Sequence, residues 1–354
     1  MIIPRLLSDL TPEEKVSGLA ELWLEVGPHC HLRCEYCFNS AGAVGADFDG
    51  GLDPLNDLWY MNVLDQFAAL GGKVVGIPGF GEPFHSSNLA RTMLILRHAA
   101  SLGLRCRVFT TGDLIDDKLA AELLELPVSL GIKYNHYDPE KQDVIVGRRG
   151  YSAGRGKAIS LLRRLGFGRG GGPVTRLSFV ATTTGENMSV MGEIYKFCRL
   201  SGVVPDIDTL LHLGRAQSMV YGSDFVEKFR QLLLELSEFD RLVFGLEWPT
   251  LNTPAYVGKN CDRYQYHLYV DYHGRVSPCL GASKKGFYLG NVCRQPLAEM
   301  WNSDTMMRVR HREYSGKSAE CSAFKSGSCH SCLGRFASVA ESGVVTGGCS
   351  FFEE

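Results

Sequence analysis

The run EVGPHCHLRCEYCFNS, from Glu25 to Ser40, decides how the rest of the chain is read. It places Cys30, Cys34 and Cys37 within eight residues, directly after an apolar stretch, Leu22–Val26, that reads as a strand. Three thiolates so spaced can wrap one side of a cubane [4Fe–4S] cluster and leave one iron without a protein ligand. An open iron can chelate an amino and a carboxylate group, which a closed structural site cannot. The competing assignment is a zinc loop, which normally wants four ligands close together; His31 is poorly placed as the fourth.

Outward from this loop, short apolar strands alternate with segments of helical length. The pattern predicts helices at 53–69, 88–102, 114–125 (capped by Asp113), 154–165, 187–200 and 222–237. Between them it predicts strands at Lys73–Ile77, Arg105–Thr110, Pro127–Tyr134, Thr175–Thr182 and Ile207–Leu213. Six β/α units imply an α/β fold with a parallel sheet wrapped by helices, a partial (β/α)6 TIM-like barrel whose chemistry lies at the C-terminal ends of the strands. The expected division is an N-terminal extension at 1–19, the barrel at 20–250 and a cysteine-rich domain at 251–354. In that last part His267–Asp271 and Arg275–Cys279 flank a turn and read as a β-hairpin, followed by a helix at 296–311.

Composition agrees with this division. The 354 residues are 45% hydrophobic and 21% charged with a net charge of −2, so nothing points to nucleic acid or an anionic membrane as partner. No apolar run reaches the roughly 18 residues of a membrane span, and the N-terminus lacks an apolar signal segment. A cytoplasmic location is expected. Twelve cysteines are many for such a chain, and they are clustered: three at 30–37, seven between 261 and 349, and only Cys106 and Cys198 between. Disulfides would be spread through the fold, so metal binding is the better explanation. Cys106 and Cys198 fit the usual state of a free cysteine, a small buried hydrophobe. The glycines of Gly154-Arg155-Gly156-Lys157 do not make a phosphate loop, because the upstream glycine is missing and Ala158 stands where Ser or Thr is needed.

The stretch Glu25–Ser40, with the aromatic Tyr36 before the last cysteine, closely resembles the cluster loop of the radical S-adenosylmethionine superfamily. After the second strand, Phe80-Gly81-Glu82-Pro83 resembles that family's Gly-Gly-Glu-Pro motif, with Phe80 replacing the first glycine. The resemblance implies S-adenosylmethionine and a [4Fe–4S] cluster as cofactors, with the methionyl amino group at Gly81, Glu82 and Pro83 and the adenine near Tyr36. It also implies cofactor contacts from Thr111 after strand three, from Lys133 and Asn135 after strand four, from Arg148 to the carboxylate, and from His212 and Gly214 after strand six. One electron, from an external flavodoxin- or ferredoxin-type reductant, would cleave the sulfonium to a 5′-deoxyadenosyl radical that abstracts a C–H hydrogen.

Cys261, Gly274 and Cys279, spaced C-x12-G-x4-C, resemble the opening of the SPASM/Twitch auxiliary-cluster domains, as do Gly290-Asn291 and Met300–Ser303. Cys321, Cys329, Cys332 and Cys349 follow at spacings that depart from the full SPASM pattern, with Phe324 in place of one cysteine. The resemblance therefore implies one or two auxiliary [4Fe–4S] clusters held by cysteines from this set. An auxiliary cluster that takes the substrate's electron gives oxidation; a thiol that returns a hydrogen gives epimerisation, and Cys293 is the first candidate for that donor. Peptide-modifying relatives often carry an extra N-terminal leader-binding domain, whereas here the cluster loop begins at residue 30. The expected substrate is a small polar metabolite such as an aminocyclitol, amino sugar or aminoglycoside, with Asp206, Asp208, Glu247 and Trp248 available to bind it. The alternatives are a ribosomal-peptide maturase and a non-catalytic iron–sulfur or zinc scaffold.

Overall fold

The computed structural model describes residues 3–41, 54–168, 172–211, 213–219, 224–248, 262–283 and 287–311. Its strands are β1 (Arg5–Leu6), β2 (Glu21–Leu24), β3 (Val74–Ile77), β4 (Arg105–Thr110), β5 (Val128–Lys133), β6 (Val174–Thr175), β7 (Leu177–Thr183), β8 (Val204–Thr209), β9 (His267–Val270), β10 (Arg275–Ser277) and β11 (Gly290–Asn291). The helices are α1 (Pro12–Lys15), α2 (Asp57–Ala69), α3 (Ser86–Ser101), α4 (Asp117–Leu124), α5 (Pro139–Val146), α6 (Tyr151–Leu165), α7 (Met188–Leu200), α8 (Phe225–Phe244), α9 (Leu297–Trp301) and α10 (Asp304–Arg310).

Strands β2, β3, β4, β5, β7 and β8 lie side by side in that order, all parallel, which is the expected six-unit partial barrel. The two-residue period of each strand sorts its side chains. Leu22, Leu24, Cys106, Val108, Leu130, Ile132, Phe179 and Ala181 join one core with buried residues of the helices. Trp23, Phe109 and Val180 point the other way and meet Tyr269 in a small inner cluster. Glycines at two inward positions make room for the rings. A Cβ on Gly76 would lie 2.2 Å from the Trp23 indole, and one on Gly131 would lie 3.2 Å from the Phe109 ring. The N-terminal segment crosses the opposite end of the sheet, where the Ser8 amide donates to Ser129 Oγ at 3.2 Å.

The sheet continues beyond the barrel. β9 pairs parallel with the free edge of β2, from Glu21 opposite His267 to Leu24 opposite Val270, and β10 and β11 extend it antiparallel. The hairpin expected near 267–279 is thus part of the same nine-stranded sheet as the barrel. Gly274, with φ +80°, makes its turn.

Three local expectations change. Asp116, not Asp113, caps α4, its side chain accepting from the Leu119 amide at 2.8 Å; Gly112, at φ +84°, turns the chain first. The single helix expected at 296–311 is broken at Asn302–Ser303, because the Ser303 hydroxyl caps a new helix at Met306. Helix α5 was not anticipated, although Asp138, Pro139 and Gly147 supply its N-cap, first turn and left-handed C-cap. Among the described residues no helix is long and apolar enough to cross a membrane.

Candidate active site

The C-terminal ends of the barrel strands surround one cavity, and Cys30, Cys34 and Cys37 all line it. Tyr36, Gly81, Glu82, Thr111 and Lys133 line it with them. The cluster loop that carries the cysteines is built from hydrogen bonds rather than from regular structure. Arg33 and Glu35 donate their amides to the carbonyls of Val146 and Ile145, the last turn of α5, at 3.0 and 3.3 Å. Arg215 donates Nε to the Cys34 carbonyl at 2.8 Å and a terminal nitrogen to the Ala41 carbonyl at 2.9 Å. Gly214 brings this arginine in: a Cβ there would lie 2.5 Å from Phe38 C and 2.7 Å from the Cys37 carbonyl.

Gly81 and Glu82 meet the other side of the same loop. The Glu82 amide donates to the His29 carbonyl at 2.8 Å. A Cβ on Gly81 would sit 2.3 Å from that same oxygen and 2.5 Å from the Gly27 carbonyl, so only glycine permits the approach. Asn88 Nδ2 donates to the carbonyls of His29 and Glu82, each at 2.9 Å, and ties the two loops together. Pro83 lies below, its carbonyl taking the Thr92 hydroxyl at 2.7 Å. Phe80, the residue that departs from the family's glycine, is buried and stacks on Tyr272 of the C-terminal hairpin, ring centroids 6.0 Å apart.

The electrostatics suit a cation at each of two positions. Burial pushes the free thiols of Cys30 and Cys34 up to about 12 and about 11, so they stay protonated unless a bound metal takes the place of their protons. Glu82 is buried, and burial raises its carboxyl despite donors from Thr110 Oγ1 (2.5 Å), Thr111 N (2.7 Å) and Phe84 N (3.1 Å). An ammonium group beside it restores the anion. Lys133 is half-buried, and desolvation lowers it against the pull of Asp206, Cys34 and Asp208. Three thiols lining one cavity, one buried carboxylate for an amine and one half-buried ammonium for a carboxylate are the donor types that a three-cysteine [4Fe–4S] cluster and S-adenosylmethionine require, so the residues present fit both groups by type. Among the described residues no three such ligands are already drawn together around an ion.

The remaining sequence-derived residues fall as follows. Asn135 is buried behind Tyr36, outside the cavity lining; its Oδ1 accepts from Thr182 N at 2.8 Å. Arg148 is exposed and lies 3.5 Å from Asp113, also outside the lining. Cys293 is exposed after β11, away from the cavity. Cys279 precedes Leu280, which lines the cavity. His212, Cys261, Cys321, Cys329, Cys332 and Cys349 lie outside the described residues. Asp206 and Asp208 line the cavity, but Trp248 donates to the buried Asp240 at 2.8 Å instead. Cys106 and Cys198 are fully buried, and burial pushes each to about 12.

Several working residues were not foreseen. Asn88 and Arg215 carry no motif, and their signal is only that they are polar where the chain packs tightly. Deeper in the cavity, Arg107 reaches Asp206 at 2.5 Å and lies 4.8 Å from the centre of the Phe109 ring. Arg263 lies 4.0 Å over Trp23 and donates to Glu21 at 3.0 Å. Asp113 holds His31 at 2.9 Å and the Thr111 hydroxyl at 2.7 Å, which keep its carboxyl low despite burial.

Comparison with known proteins agrees with this geometry. The family model of the Radical SAM superfamily matches residues 24–198, and that of an iron-sulfur cluster-binding domain, SPASM, matches residues 261–333. An AdoMet-dependent heme synthase of Oleidesulfovibrio alaskensis is 23% identical over 352 residues, covering 91% of this chain and 83% of that protein. A tungsten-containing aldehyde ferredoxin oxidoreductase cofactor-modifying protein of Pyrococcus furiosus is 26% identical over 304 residues, covering 80% and 81%. The crystal structure of Streptococcus suis SuiB bound to S-adenosylmethionine superposes with a TM-score of 0.64 at 17% identity, covering 86% of this chain and 70% of that one.

Proposed function

We propose, on the premise that this chain belongs to the radical SAM superfamily and carries a SPASM iron–sulfur domain, that it oxidises a small polar metabolite of the aminocyclitol, amino sugar or aminoglycoside kind at a C–H bond. With its cofactors bound, the site supplies one electron to the sulfonium of S-adenosylmethionine and so a carbon radical able to take hydrogen from substrate. The chain's own residues do the rest. Cys30, Cys34 and Cys37 would hold the cluster, Glu82 and Lys133 would bind the methionyl end, and Tyr36 would line the adenine side.

The observation that carries oxidation over epimerisation is Leu280. It lines the cavity, and the preceding residue, Cys279, is one of the cysteines that the resemblance to SPASM/Twitch domains gives to an auxiliary cluster. An auxiliary cluster held there would lie next to the cavity wall and would be placed to accept an electron from the substrate. Among the described residues the cavity presents no thiol beyond the three of the cluster loop, so no cysteine there is placed to return a hydrogen. The lining supports a hydroxyl- and amine-bearing ring. Arg107, Asp206, Asp208, Lys133 and Thr182 offer donors and acceptors, and Trp23 and Phe109 offer flat apolar faces that exclude water. The names of the two curated relatives speak of heme synthesis and cofactor modification, which favours a non-peptide substrate.

The test is anaerobic reconstitution followed by turnover with a panel of aminocyclitols and aminoglycosides. Iron should exceed one cluster by about four atoms or more, and 5′-deoxyadenosine should form and vanish in Cys34→Ala. The product should be lighter by two hydrogens. Deuterium taken up from D2O at one carbon, with no mass loss, points to epimerisation instead; zinc without iron sinks the enzyme reading.

A further inference from the structure

The cluster held by Cys30, Cys34 and Cys37 needs an electron from outside the chain, and the surface next to it is unusual in charge. The cluster loop rests on the last turn of α5. The chain then turns through Gly147 (φ +68°), Arg148, Arg149 and Gly150 (φ +82°), all exposed, before α6 begins. A Cβ on Gly147 would lie 3.2 Å from the Arg33 carbonyl and 3.3 Å from Arg33 Cβ, so this corner rides directly on Arg33, itself exposed. Beneath the ridge, Cys30 and Cys34 pack against Leu32, Val146 and Tyr151. Arg33 and Arg149 are exposed on this corner, and Arg148 between Gly147 and Arg149 is exposed with its guanidinium 3.5 Å from Asp113.

These arginines serve neither the cavity nor the core. None lines the cavity, and Arg33 and Arg149 make no ion pair among the described residues. Two of the nearby carboxylates are engaged. Asp113 is shared by His31 and Arg148. Asp143 accepts from the amides of Gly150 and Ser152. Glu35, next to Cys34, is the exception: burial and the nearby Glu186 raise its carboxyl, and this pair is the acidic counterweight to the ridge. On the far side of Cys30, the exposed His29 stacks on His85 at 5.9 Å and adds no negative charge.

We propose that Arg33, Arg148 and Arg149 form the docking face for an acidic one-electron carrier, a small flavin or iron–sulfur protein with carboxylates around its redox centre. The inference rests on the cluster reading above. In the complex the carrier gives up one electron and the cluster gains one; no bond or proton moves. Opposite charges on the two faces speed encounter and make the rate fall with salt.

The experiment uses the reconstituted holoenzyme, a purified acidic flavodoxin in its hydroquinone form and, as a control, dithionite. The charge-reversed variant R33E/R149E should lose at least tenfold in the second-order rate of cluster reduction by flavodoxin, followed by the bleaching of the visible band. Its salt dependence should flatten, and flavodoxin capture in surface plasmon resonance should weaken in parallel. Reduction by dithionite, iron content and S-adenosylmethionine affinity should stay at the parent's level, and R33K/R149K should keep the parent rate. An unchanged flavodoxin rate in R33E/R149E overturns the docking face while leaving the enzyme reading intact. A parent protein with no iron to bleach overturns both.

Discussion

The main-chain amide of Glu82 and the carbonyl of His29 are joined by a 2.8 Å hydrogen bond, which fixes the amine-binding loop to the cysteine loop. The two halves of the site are therefore one mechanical unit, and the side chains that hold it can be tested singly.

Gly81→Ala places a methyl where 2.3 Å separates it from the His29 oxygen and 2.5 Å from that of Gly27, both backbone atoms that cannot swing aside. Overpacking of this kind costs about 1–3 kcal/mol. The expected result is a melting temperature several degrees lower together with weakened S-adenosylmethionine binding by calorimetry. Normal affinity in this variant shows that the loop is not held as tightly as the structure has it.

Glu82→Gln keeps the shape and removes the anion. The amide also turns a donor toward a carboxyl site already filled by the amides of Thr111 and Phe84 and the Thr110 hydroxyl. S-adenosylmethionine affinity should fall by about tenfold to hundredfold, or about 1.4–2.8 kcal/mol, with iron content unchanged. A homologue lacking the methionyl amine should bind parent and variant alike.

Asn88→Ala removes the 2.9 Å side-chain donor shared by the carbonyls of His29 and Glu82, which keep only the backbone amides of Glu82 and His85. Each lost hydrogen bond costs about 0.5–1.5 kcal/mol. The variant should unfold at lower denaturant and load less iron, and Asn88→Asp, which offers acceptors only, should be at least as damaging. A neutral outcome for both means that Asn88 does not tie the loops.

Acid should loosen the seam between β2 and β9. His267 is buried against Glu21 at 2.9 Å, and burial together with the Arg263 guanidinium lowers its pKa to about 4. Between an ordinary value near 6.5 and 4, the unfolded chain binds a proton that the folded protein refuses, so stability falls as the pH drops through that window. Glu21, held well below the usual carboxylate range by Arg263 and His267 despite burial, pulls the same way below about 4.5. Denaturation midpoints measured from pH 7 to 5 should decline in the parent and decline less in His267→Gln. A parent midpoint that rises on acidification contradicts the assignment.

The barrel was legible because its signals are local. Alternation at Arg105–Thr110 matches β4 residue for residue, and the spacing of Cys30, Cys34 and Cys37 needs no partner to be recognised. Helix α5 escaped because eight residues carry too little periodicity, although both caps were in plain view. Asp113 was misread as a cap because sequence shows an acidic residue before a helix but not the imidazole of His31, 82 positions away, that claims it. Asn88, Arg215 and Arg107 act through tertiary contacts, and a lone polar residue has no pattern to betray it. Cys293 follows the same logic in reverse, since its place in the cysteine count said nothing about which way it faces.

The parallel pairing of β2 with β9 also sets a timetable. Glu21 leaves the ribosome 246 residues before His267, a gap on the order of tens of seconds at about 5–20 residues per second. Through that interval the strand that leads into the cysteine loop has an unpaired edge, open to any other extended chain. Truncation before residue 267 would leave the edge permanently bare, so the C-terminal hairpin acts as the clasp that ends the vulnerable period of biogenesis.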